Sequence, residues 1–407
     1  MSTPEHNAAV RMLDAGHPPN LHAKRHLSGK VSHDARTVRI FWDDARESTF
    51  HGVWLRDNCA CAVCRHPQTQ ERTYQLLDDA HSGLIGTAYI LNDGILTVQF
   101  AAGNGDVHLS RFDLGWLRHH CESSSIARQE QVVRRLWSAA ELSPIPRFHY
   151  DDIMVDDRLL DAWLGTLTLS GATLIEGIPT ELGTVQRLAE RVGPLRPTNF
   201  GTLFEVESKP NPNNAAYTAM GLEPHTDIPN VPSPPGIQLL HCIRNDARGG
   251  GSILVDGFRV AEELRSESAA HFRLLADCPI EFRFHDAEVD LIHHAPVLRV
   301  DAQDRVVEVR FSNWLRGTLD LPEDQVDAYY EALLHYWRIL RQPRFQLRPR
   351  LQAGQAVVFD NQRVLHGREP FDPQTGSRLL QGCYIDHESV QSRRRVIARG
   401  IPAQRPS

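Results

Sequence analysis

Short runs of alternating apolar and polar residues fill the chain between Thr37 and Leu117. Three of these runs begin at Thr37, Gly86 and Ile95 and read TVRIFW, GTAYIL and ILTVQF. Asn-Asp-Gly precedes the last run, and Gly-Asn-Gly follows it. Alternation with a period of two is typical of strands with one buried face, and glycine-containing clusters mark turns. The pattern therefore predicts a small antiparallel β-domain over residues 36–120.

The longer remainder of the chain combines many strand-like runs with a few helices. Apolar residues recur at helical spacing from Leu159 to Leu167 and from Thr184 to Val192, and a long amphipathic helix is predicted from Glu323 to Arg341. Apolar runs that predict strands occupy Ala172–Ile178, Gly236–Ile243, Gly249–Asp256, Pro296–Val300, Arg305–Phe311, Gln355–Asp360 and Leu379–Ile385. The expected fold is mainly β with flanking helices, of the α+β class. A double-sheet jelly roll fits this pattern, and its mouth can hold a metal and a ligand.

Three further segments set the expected domain boundaries. Residues 1–35 are rich in His, Pro, Asn and Ser and show no sustained periodicity, which predicts a flexible tail. Residues 121–147 carry many charges in a helical pattern and end near Pro-Ile-Pro, which predicts a helical linker. The jelly-roll domain is then expected over residues 148–400. Gly249-Gly-Gly lacks the Lys-Ser/Thr of a phosphate-binding loop, so nucleotide binding is not indicated.

Composition and charge narrow the function class. The 407 residues include 41% hydrophobic and 23% charged side chains, the balance of a globular enzyme rather than of a disordered or membrane protein. The net charge of −7 provides no general attraction to nucleic acid or to anionic lipid. No apolar run approaches the length of a membrane span, and the polar N-terminus lacks the apolar stretch of a signal peptide. We therefore expect a cytoplasmic protein with neither nucleic acid nor membrane among its partners.

Two histidines and an aspartate have the pattern of an iron site. His225 and Asp227 lie in Glu-Pro-His-Thr-Asp-Ile-Pro, and His366 lies far along the chain in Val-Leu-His-Gly-Arg. Residues i and i+2 of an extended segment point to the same side, so His225 and Asp227 can bind one metal. Such pairs arise by chance in a chain with 21 histidines, but a predicted strand lies beside each position. A 2-His-1-carboxylate set leaves positions on Fe(II) open for oxygen chemistry, so the pattern predicts an oxygenase.

A second metal site is indicated by Cys59, Cys61 and Cys64. Clustered thiols in a reducing compartment favour a metal over disulfides, and tetrahedral zinc then requires a fourth ligand. His66 is near in sequence, but His108, from the far end of the same domain, would tie the sheet together and is preferred. A closed site of three thiolates and one imidazole has no open position, which indicates a structural rather than a catalytic zinc.

Two other interpretations of the cysteine cluster stay open. The three thiols can be reduced and unligated, and the neighbouring Arg65 and Arg72 allow a zinc module that binds DNA or RNA. The net negative charge and the lack of a second cysteine pair count against the nucleic-acid module. Iron–sulfur ligation would need four cysteines. The remaining cysteines are expected to be buried free thiols without a functional role: Cys121, Cys242, Cys278 and Cys383.

Several motifs together resemble one enzyme family. VWLRDNCACAVCRHP, which starts at Val53, resembles the N-terminal zinc domain of the γ-butyrobetaine dioxygenase and trimethyllysine dioxygenase family. YTAMGLEPHTD from Tyr217, PPGIQLLHCI from Pro234 and LHGR from Leu365 resemble its catalytic domain. The resemblance extends from about residue 37 to residue 396. It implies a double-stranded β-helix oxygenase, similar to taurine dioxygenase in its catalytic domain, that depends on Fe(II) and 2-oxoglutarate.

The resemblance also implies roles for particular residues. The two histidines and the aspartate described above would hold the iron, and the cysteine cluster with His108 would hold structural zinc. Arg378, at the start of a predicted strand, takes the position that binds the distal carboxylate of 2-oxoglutarate, a task suited to the planar fork of arginine. In this family 2-oxoglutarate is oxidised to succinate and carbon dioxide while O2 supplies a hydroxyl group to an unactivated carbon. Ascorbate is the expected reductant, and a homodimer is the expected assembly.

The expected substrate is a trimethylammonium acid. A quaternary ammonium group has no N–H to donate, so proteins bind it with aromatic faces. The family's substrate positions fall on four aromatic residues and two amides: Phe200, Phe204, Tyr217, Tyr384, Asn214 and Asn313. The amides match positions that bond the acidic end of γ-butyrobetaine in its hydroxylases. The expected reaction is therefore hydroxylation of γ-butyrobetaine to L-carnitine.

We call the four aromatic positions the cage. Its first two residues, Phe200 and Phe204, depart from the family pattern, because Tyr and Trp are usual there. Phe is a weaker partner for a cation than Trp. Trimethyllysine or a trimethylammonio-alkylphosphonate is therefore an alternative substrate for the same chemistry. An alternative of another class is a catalytically silent protein that binds metal and 2-oxoglutarate on the same scaffold.

Overall fold

The computed structural model describes residues 29–78, 83–91, 94–101, 107–120, 133–208 and 215–399. The chain divides into two compact units, Met1–Gln131 and Val132–Ser407. Within the described ranges, no helix is long and apolar enough to cross a membrane. Most of the flexible tail predicted over residues 1–35 lies outside these ranges.

The described part of the first unit contains short strands, two short α-helices and one 3-10 turn, Leu76–Asp78. Its elements are β1 Gly29–His33, β2 Thr37–Trp42, β3 Glu47–His51, α1 Gly52–Asp57, β4 Ile85–Leu91, β5 Ile95–Ala101, β6 Val107–Asp113 and α2 Leu114–His120. Two antiparallel three-stranded sheets have the orders β1-β2-β3 and β4-β5-β6. Alternate apolar residues, such as Val38 and Ile40 of β2 and Leu96 and Val98 of β5, are buried in one cluster. The alternation seen in the sequence therefore marks the buried face of each sheet.

Strand β1 corrects the predicted extent of the flexible tail. The strand pairs along its whole length with β2, from Gly29 opposite Trp42 to His33 opposite Val38. Its sequence, Gly-Lys-Val-Ser-His, contains a single aliphatic residue, Val31. A period-two pattern cannot be recognised from one apolar position. The strand forms because β2 supplies partners for its backbone hydrogen bonds.

The second unit is a mixed α/β structure with a sheet core. Its strands are β7 Arg147–His149, β8 Ala172–Glu176, β9 Leu203–Val206, β10 Leu222–His225, β11 Ile237–Asn245, β12 Arg248–Gly249, β13 Ser252–Asp256, β14 Ile280–His285, β15 Asp290–Ala295, β16 Leu298–Val300, β17 Val306–Val309, β18 Ala356–Asp360, β19 Val364–Arg368, β20 Phe371–Asp372 and β21 Arg378–Ile385. Its helices are α3 Tyr150–Val155, α4 Asp157–Ser170, α5 Thr184–Glu190, α6 Gly257–Glu267, α7 Ala269–Asp277, α8 Glu323–Leu340 and α9 His387–Ala398. Every strand and helix predicted for residues 148–400 has a counterpart among these elements.

Two sheets of the second unit meet at one pocket. A six-stranded sheet has the order β7-β8-β18-β11-β21-β9, and a three-stranded sheet has the order β10-β19-β13. All eight residues of β21 are buried, including the polar Arg378 and Gln381, so this strand shows no alternation of buried and exposed positions. One face of β11 places Leu239 against Trp163 and Leu164 of α4. The other face carries Gln238, which lines a pocket together with His366 of β19.

The segment that leads into β7 corrects the prediction of a helical linker. Residues 133–146 contain no helix, and the rest of the predicted linker lies outside the described ranges. The backbone N–H groups bond to distant elements: that of Trp137 donates to the Asp256 carboxylate at 3.1 Å, and that of Arg135 donates to the Leu169 carbonyl at 2.8 Å. These long-range partners replace the local hydrogen bonds of a helix, and no local pattern reveals them.

Candidate metal centre and active-site pocket

The two histidines and the aspartate predicted to bind iron come together where β10 and β19 pair. His225 lies opposite His366 in the register of these strands, and Asp227 follows β10 by two residues. One Asp227 oxygen, Oδ1, lies 3.2 Å from His225 Nε2, and the other, Oδ2, lies 3.6 Å from His366 Nε2. The potential ligand atoms of all three residues lie within 4.8 Å of one another. We name these three residues the triad.

Both imidazoles of the triad are suited to metal binding. The Nδ1 atom of His225 lies 2.9 Å from the Glu223 carbonyl, so it carries the proton and donates, which leaves the Nε2 lone pair facing Asp227. Burial lowers the pKa of His366 to about 3, so this ring is neutral at physiological pH. Neutral imidazole is the form that coordinates a metal.

The Asp227 carboxylate is anchored by hydrogen bonds and stays ionised. The Tyr384 hydroxyl donates to Oδ2 at 2.7 Å, and the Gln238 amide donates to the same oxygen at 2.9 Å. Burial alone would raise the pKa of Asp227, but hydrogen bonds such as that from the Tyr384 hydroxyl favour the ionised form, and its pKa lies well below its usual range. Two imidazoles and one carboxylate are the donor set of a non-haem Fe(II) centre, so the residues present fit that metal.

The backbone after Asp227 is strained and is held by hydrogen bonds from Arg310. Ile228 has a φ angle of 52°, a left-handed conformation that is rare for a β-branched side chain and costs on the order of 1–3 kcal/mol. The buried Arg310 side chain donates to three carbonyl oxygens of the following loop, at 3.1, 2.7 and 2.7 Å: those of Pro229, Val231 and Pro232. These hydrogen bonds stabilise the loop in the conformation that turns Asp227 towards the histidines.

Aromatic side chains line the pocket that contains the triad. The four predicted cage residues all lie there: Phe200, Phe204, Tyr217 and Tyr384. The rings of Phe204 and Tyr384 are stacked with their centroids 5.0 Å apart. Tyr384 therefore forms part of the pocket wall with its ring and bonds Asp227 with its hydroxyl.

Two further aromatic residues of the pocket were not predicted from the sequence. The Trp314 ring lies 4.4 Å from the His225 ring, and the Phe284 ring lies 5.3 Å from the Phe200 ring in an edge-to-face arrangement. Both residues line the pocket. The position of Trp314 beside the predicted Asn313 was the one available signal, whereas Phe284 belongs to an ordinary alternating strand and gave none.

The two predicted amides are placed differently from the aromatic residues. Asn214 lies outside the described residues. Asn313 is exposed, and its Oδ1 atom lies 3.5 Å from Arg316 Nη2. In the described part of the chain the pocket is lined by the neighbouring Trp314 and Leu315 rather than by Asn313. Substrate binding by either amide stays a prediction.

Arg378 provides a buried cation at the pocket. It is the first residue of β21, and its Nε and Nη1 atoms are buried without a hydrogen-bond partner in the described ranges. Burial lowers its pKa to about 10, so the guanidinium remains charged. No ion pair with a carboxylate of the described residues offsets this buried charge, and leaving such donors unpaired is costly. The arrangement fits a ligand carboxylate, as expected for 2-oxoglutarate.

The predicted zinc ligands also come together in the first unit. The Sγ atoms of Cys59, Cys61 and Cys64 lie 3.3, 3.8 and 3.6 Å from His108 Nε2. His66 instead accepts backbone hydrogen bonds within its own turn. Hydrogen bonds from the Cys59 thiol and from Arg56 lower the pKa of Cys64 although burial opposes them. The cluster is compatible with a closed tetrahedral zinc site.

Two family models match the chain. The model described as "Taurine catabolism dioxygenase TauD, TfdA family" matches residues 133–384, and the model described as "Gamma-butyrobetaine hydroxylase-like, N-terminal" matches residues 30–82. A taurine dioxygenase crystal structure from Burkholderia xenovorans is 16% identical with a TM-score of 0.46, and the match covers 62% of this chain and 89% of that one.

Characterised relatives match almost the whole length of the chain. A γ-butyrobetaine dioxygenase of Pseudomonas sp. strain AK-1 is 40% identical over 90% of this chain and 94% of its own. The human γ-butyrobetaine dioxygenase is 32% identical over 90% and 96%, and the bovine mitochondrial trimethyllysine dioxygenase is 30% identical over 86% and 82%. The chain is thus a member of the TauD/TfdA family and, alongside the γ-butyrobetaine and trimethyllysine dioxygenases, an Fe(II)- and 2-oxoglutarate-dependent dioxygenase.

Proposed function

We propose that this dioxygenase hydroxylates an unactivated C–H bond of a trimethylammonium acid, with conversion of γ-butyrobetaine to L-carnitine as the leading reaction. The observation that carries the proposal is the aromatic wall of the pocket, in which Phe204, Tyr217, Trp314 and Tyr384 face the same space as the triad. Each aromatic face attracts a quaternary ammonium by about 0.5–2 kcal/mol. The 40% identity to a γ-butyrobetaine dioxygenase supports the same substrate.

In this proposal each polar group of the pocket has one task. The triad holds Fe(II), and the free N–H groups of Arg378 hold the distal carboxylate of 2-oxoglutarate. The iron, when bound, couples the reduction of O2 to the oxidative decarboxylation of 2-oxoglutarate. The balanced reaction is R–H + O2 + 2-oxoglutarate → R–OH + succinate + CO2. Tyr384 and Gln238 keep Asp227 oriented and ionised, and the aromatic wall excludes water from the reacting carbon.

The identity of the trimethylammonium acid depends on the cage. Phe200 and Phe204 attract a cation less strongly than Tyr or Trp would, so trimethyllysine and a trimethylammonio-alkylphosphonate stay as alternative substrates. Trp314 supplies the aromatic type that binds cations best, at a position that the family pattern did not indicate. The Trp314 ring lies against the His225 ring. A cation bound to Trp314 would therefore lie close to the metal.

The finer features of the fold belong to the same proposal. We infer that the sheets β7-β8-β18-β11-β21-β9 and β10-β19-β13 form a double-stranded β-helix, supported by the residues that both contribute to one pocket. The cysteine cluster with His108 would hold structural zinc. A homodimer, ascorbate as reductant and a cytoplasmic location stay predictions.

A substrate panel tests the proposed reaction. The purified enzyme would be incubated with Fe(II), ascorbate and 2-oxoglutarate together with γ-butyrobetaine, trimethyllysine or a trimethylammonio-alkylphosphonate, while succinate and hydroxylated product are measured. Equal amounts of succinate and hydroxylated γ-butyrobetaine are expected. A trimethyl-carbon analogue of γ-butyrobetaine, which has the same shape without the charge, is the matched control and should not stimulate turnover. Failure of every trimethylammonium acid would refute the proposal.

A separate measurement addresses the catalytically silent alternative. Anaerobic addition of Fe(II) and 2-oxoglutarate should produce a visible charge-transfer band, because the keto acid chelates the metal. A band without turnover of any substrate would support a binding protein. A band together with coupled turnover would exclude it.

A further inference from the structure

Arg368 makes an unusual set of contacts at the edge of the pocket. It is the last residue of β19, two positions after His366, and its side chain is buried. Its Nη1 atom donates to the Ala216 carbonyl at 3.1 Å, and its Nη2 atom donates to the carbonyls of Thr218 and Met220 at 2.7 and 2.8 Å. One guanidinium therefore binds three alternate carbonyls of the same segment. We name residues 215–220 the cage loop.

The cage loop has little regular structure of its own. It consists of a single 3-10 turn, Ala215–Tyr217, followed by bends. Its main-chain contacts with the strands include the hydrogen bond from the Phe371 N–H to the Ala219 carbonyl at 3.1 Å. Its residues are only partly buried, and Met220 is exposed, so packing contributes little to holding the loop. The three hydrogen bonds from Arg368 join the loop to β19.

Arg368 is not explained by a charge partner. In the described ranges it forms no ion pair with a carboxylate, although burying a cation without one is costly. Arg378 lies close enough to lower the pKa of Arg368 further, after burial itself, to about 10. A neutral side chain at this position would avoid the cost of burying a charge. The three hydrogen bonds to carbonyl oxygens offset that cost for Arg368.

Tyr217 links the three hydrogen bonds of Arg368, which we name the clamp, to substrate recognition. It belongs to the cage loop and lines the pocket together with Arg368 and the triad. Arg368 in turn lies opposite Leu222, on the strand β10 that ends at His225. We propose that Arg368 is a positioning residue that fixes Tyr217 relative to the metal strand, and so sets affinity for the trimethylammonium group. This inference rests on the proposed function.

Direct binding of 2-oxoglutarate is a different role, and the contacts favour Arg378 for it. Both terminal nitrogens of Arg368 are engaged by carbonyls, and its Nε is the atom without a partner in the described chain. Arg378 has both Nε and Nη1 without hydrogen-bond partners in the described chain, so its guanidinium remains available to a ligand carboxylate. Arg368 therefore holds the cage loop, and Arg378 is the arginine available to 2-oxoglutarate.

A double-mutant cycle tests the inference. Arg368→Lys keeps the charge, but a single ammonium cannot reproduce the planar fork that reaches three carbonyls. We expect it to raise the KM for γ-butyrobetaine about tenfold with a smaller change in kcat. In a Tyr217→Leu background the same substitution should change KM by less than about twofold, because coupled residues are not additive. Arg393→Lys is the matched control, since Arg393 of α9 also donates to a backbone carbonyl, that of Val192, and does not line the pocket.

A second measurement does not depend on turnover. Hydrogen exchange of the backbone amides of residues 215–221 should accelerate in Arg368→Lys and stay unchanged in Arg393→Lys. The affinity for 2-oxoglutarate, followed by the anaerobic absorbance band, should stay within about twofold of the wild type. Zinc content and the midpoint of thermal unfolding show whether the variant has folded.

The outcomes separate this inference from the proposed function. If no trimethylammonium acid is turned over by the wild type, the proposed function fails, while hydrogen exchange still decides whether Arg368 fixes the loop. Normal turnover with unchanged KM and unchanged exchange in Arg368→Lys would overturn the clamp alone. A weakened affinity for 2-oxoglutarate, with additive effects of Tyr217→Leu, would assign Arg368 to the cosubstrate instead.

Discussion

Removal of one hydroxyl group tests how the pocket wall and the metal centre are connected. In Tyr384→Phe the ring stacked on Phe204 is retained, but the 2.7 Å hydrogen bond to Asp227 Oδ2 is lost. Burial and the neighbouring Asp227 raise the pKa of Tyr384 well above its ordinary value, so the native hydroxyl is protonated and donates. A hydrogen bond to a charged group contributes about 1.5–3 kcal/mol. Gln238 still donates to the same oxygen, so the lower end applies.

The expected result is a metal affinity about tenfold weaker, in line with the effect of groups that orient metal ligands. Anaerobic calorimetric titration with Fe(II), or with Mn(II) as a redox-stable substitute, measures it without turnover. The KM for γ-butyrobetaine should change less than about threefold, since the aromatic face remains. Tyr336→Phe is the control, because it removes a buried hydroxyl of α8 that contacts the Gly257 carbonyl instead. Unchanged metal affinity in Tyr384→Phe, or a raised KM alone, would refute the reasoning.

Four further outcomes are expected. Asp227→Ala should abolish iron binding and turnover and leave the zinc content, measured by atomic absorption, unchanged. Loss of zinc would mean that Asp227 had been assigned to the wrong metal site. His108→Ala should release zinc to a chromogenic chelator and lower the unfolding midpoint of the first unit, because structural zinc contributes to folding. Trp314→Leu should raise the KM for γ-butyrobetaine about fivefold, the loss of one cation–π contact of about 1 kcal/mol, and should also weaken metal affinity because the Trp314 ring packs on His225. Burial alone would lower the pKa of His387 and raise that of Asp360, but the charge of each residue outweighs burial at the other, so the pKa of His387 is raised and that of Asp360 is lowered. The stabilisation is complete between the ordinary pKa values of Asp and His. It is lost as pH rises through the raised pKa of His387 or falls through the lowered pKa of Asp360, so the difference in unfolding midpoint between wild type and His387→Gln should be largest near about pH 5 and small near about pH 9.

Local patterns predicted the elements whose burial repeats along the sequence. Strand β2 could be recognised because Val38, Ile40 and Trp42 alternate with exposed residues, and α8 because its apolar residues follow the helical period. Strand β1 could not be recognised, since Val31 alone faces the core side and the strand depends on its neighbour. The predicted helical linker does not extend over residues 133–146 for a related reason: the N–H of Trp137 has its partner at Asp256, more than a hundred residues away.

The same distinction separates the predicted from the missed site residues. Ligand chemistry is visible in a sequence because few residue types can bind iron or zinc, and both predicted clusters are brought together. Pocket position is not visible in this way. Phe284 is one of several buried aromatic residues in alternating strands, and only the packing of β14 against the Phe200 region places it at the cavity. The sequence likewise gives no signal that distinguishes Arg368 from the other arginines, because its three carbonyl partners are known only from the structure.

The contacts of the pocket also explain how substrate preference can change in this family while the chemistry stays the same. Tyr384 and Trp314 each contact the triad, one through a hydrogen bond to Asp227 and the other through ring packing on His225. Substitution at either position would disturb the metal as well as the substrate. Phe200 and Phe204 have no polar group to donate to the triad, so their exchange for Tyr or Trp alters attraction for the cation without altering the metal ligands. Phe200 and Phe204, the two positions where this chain departs from the expected aromatic pattern, are therefore positions where an aromatic exchange leaves the contacts of Tyr384 and Trp314 with the triad in place. Changing both to the usual residues should shift affinity among trimethylammonium acids and leave metal affinity unchanged.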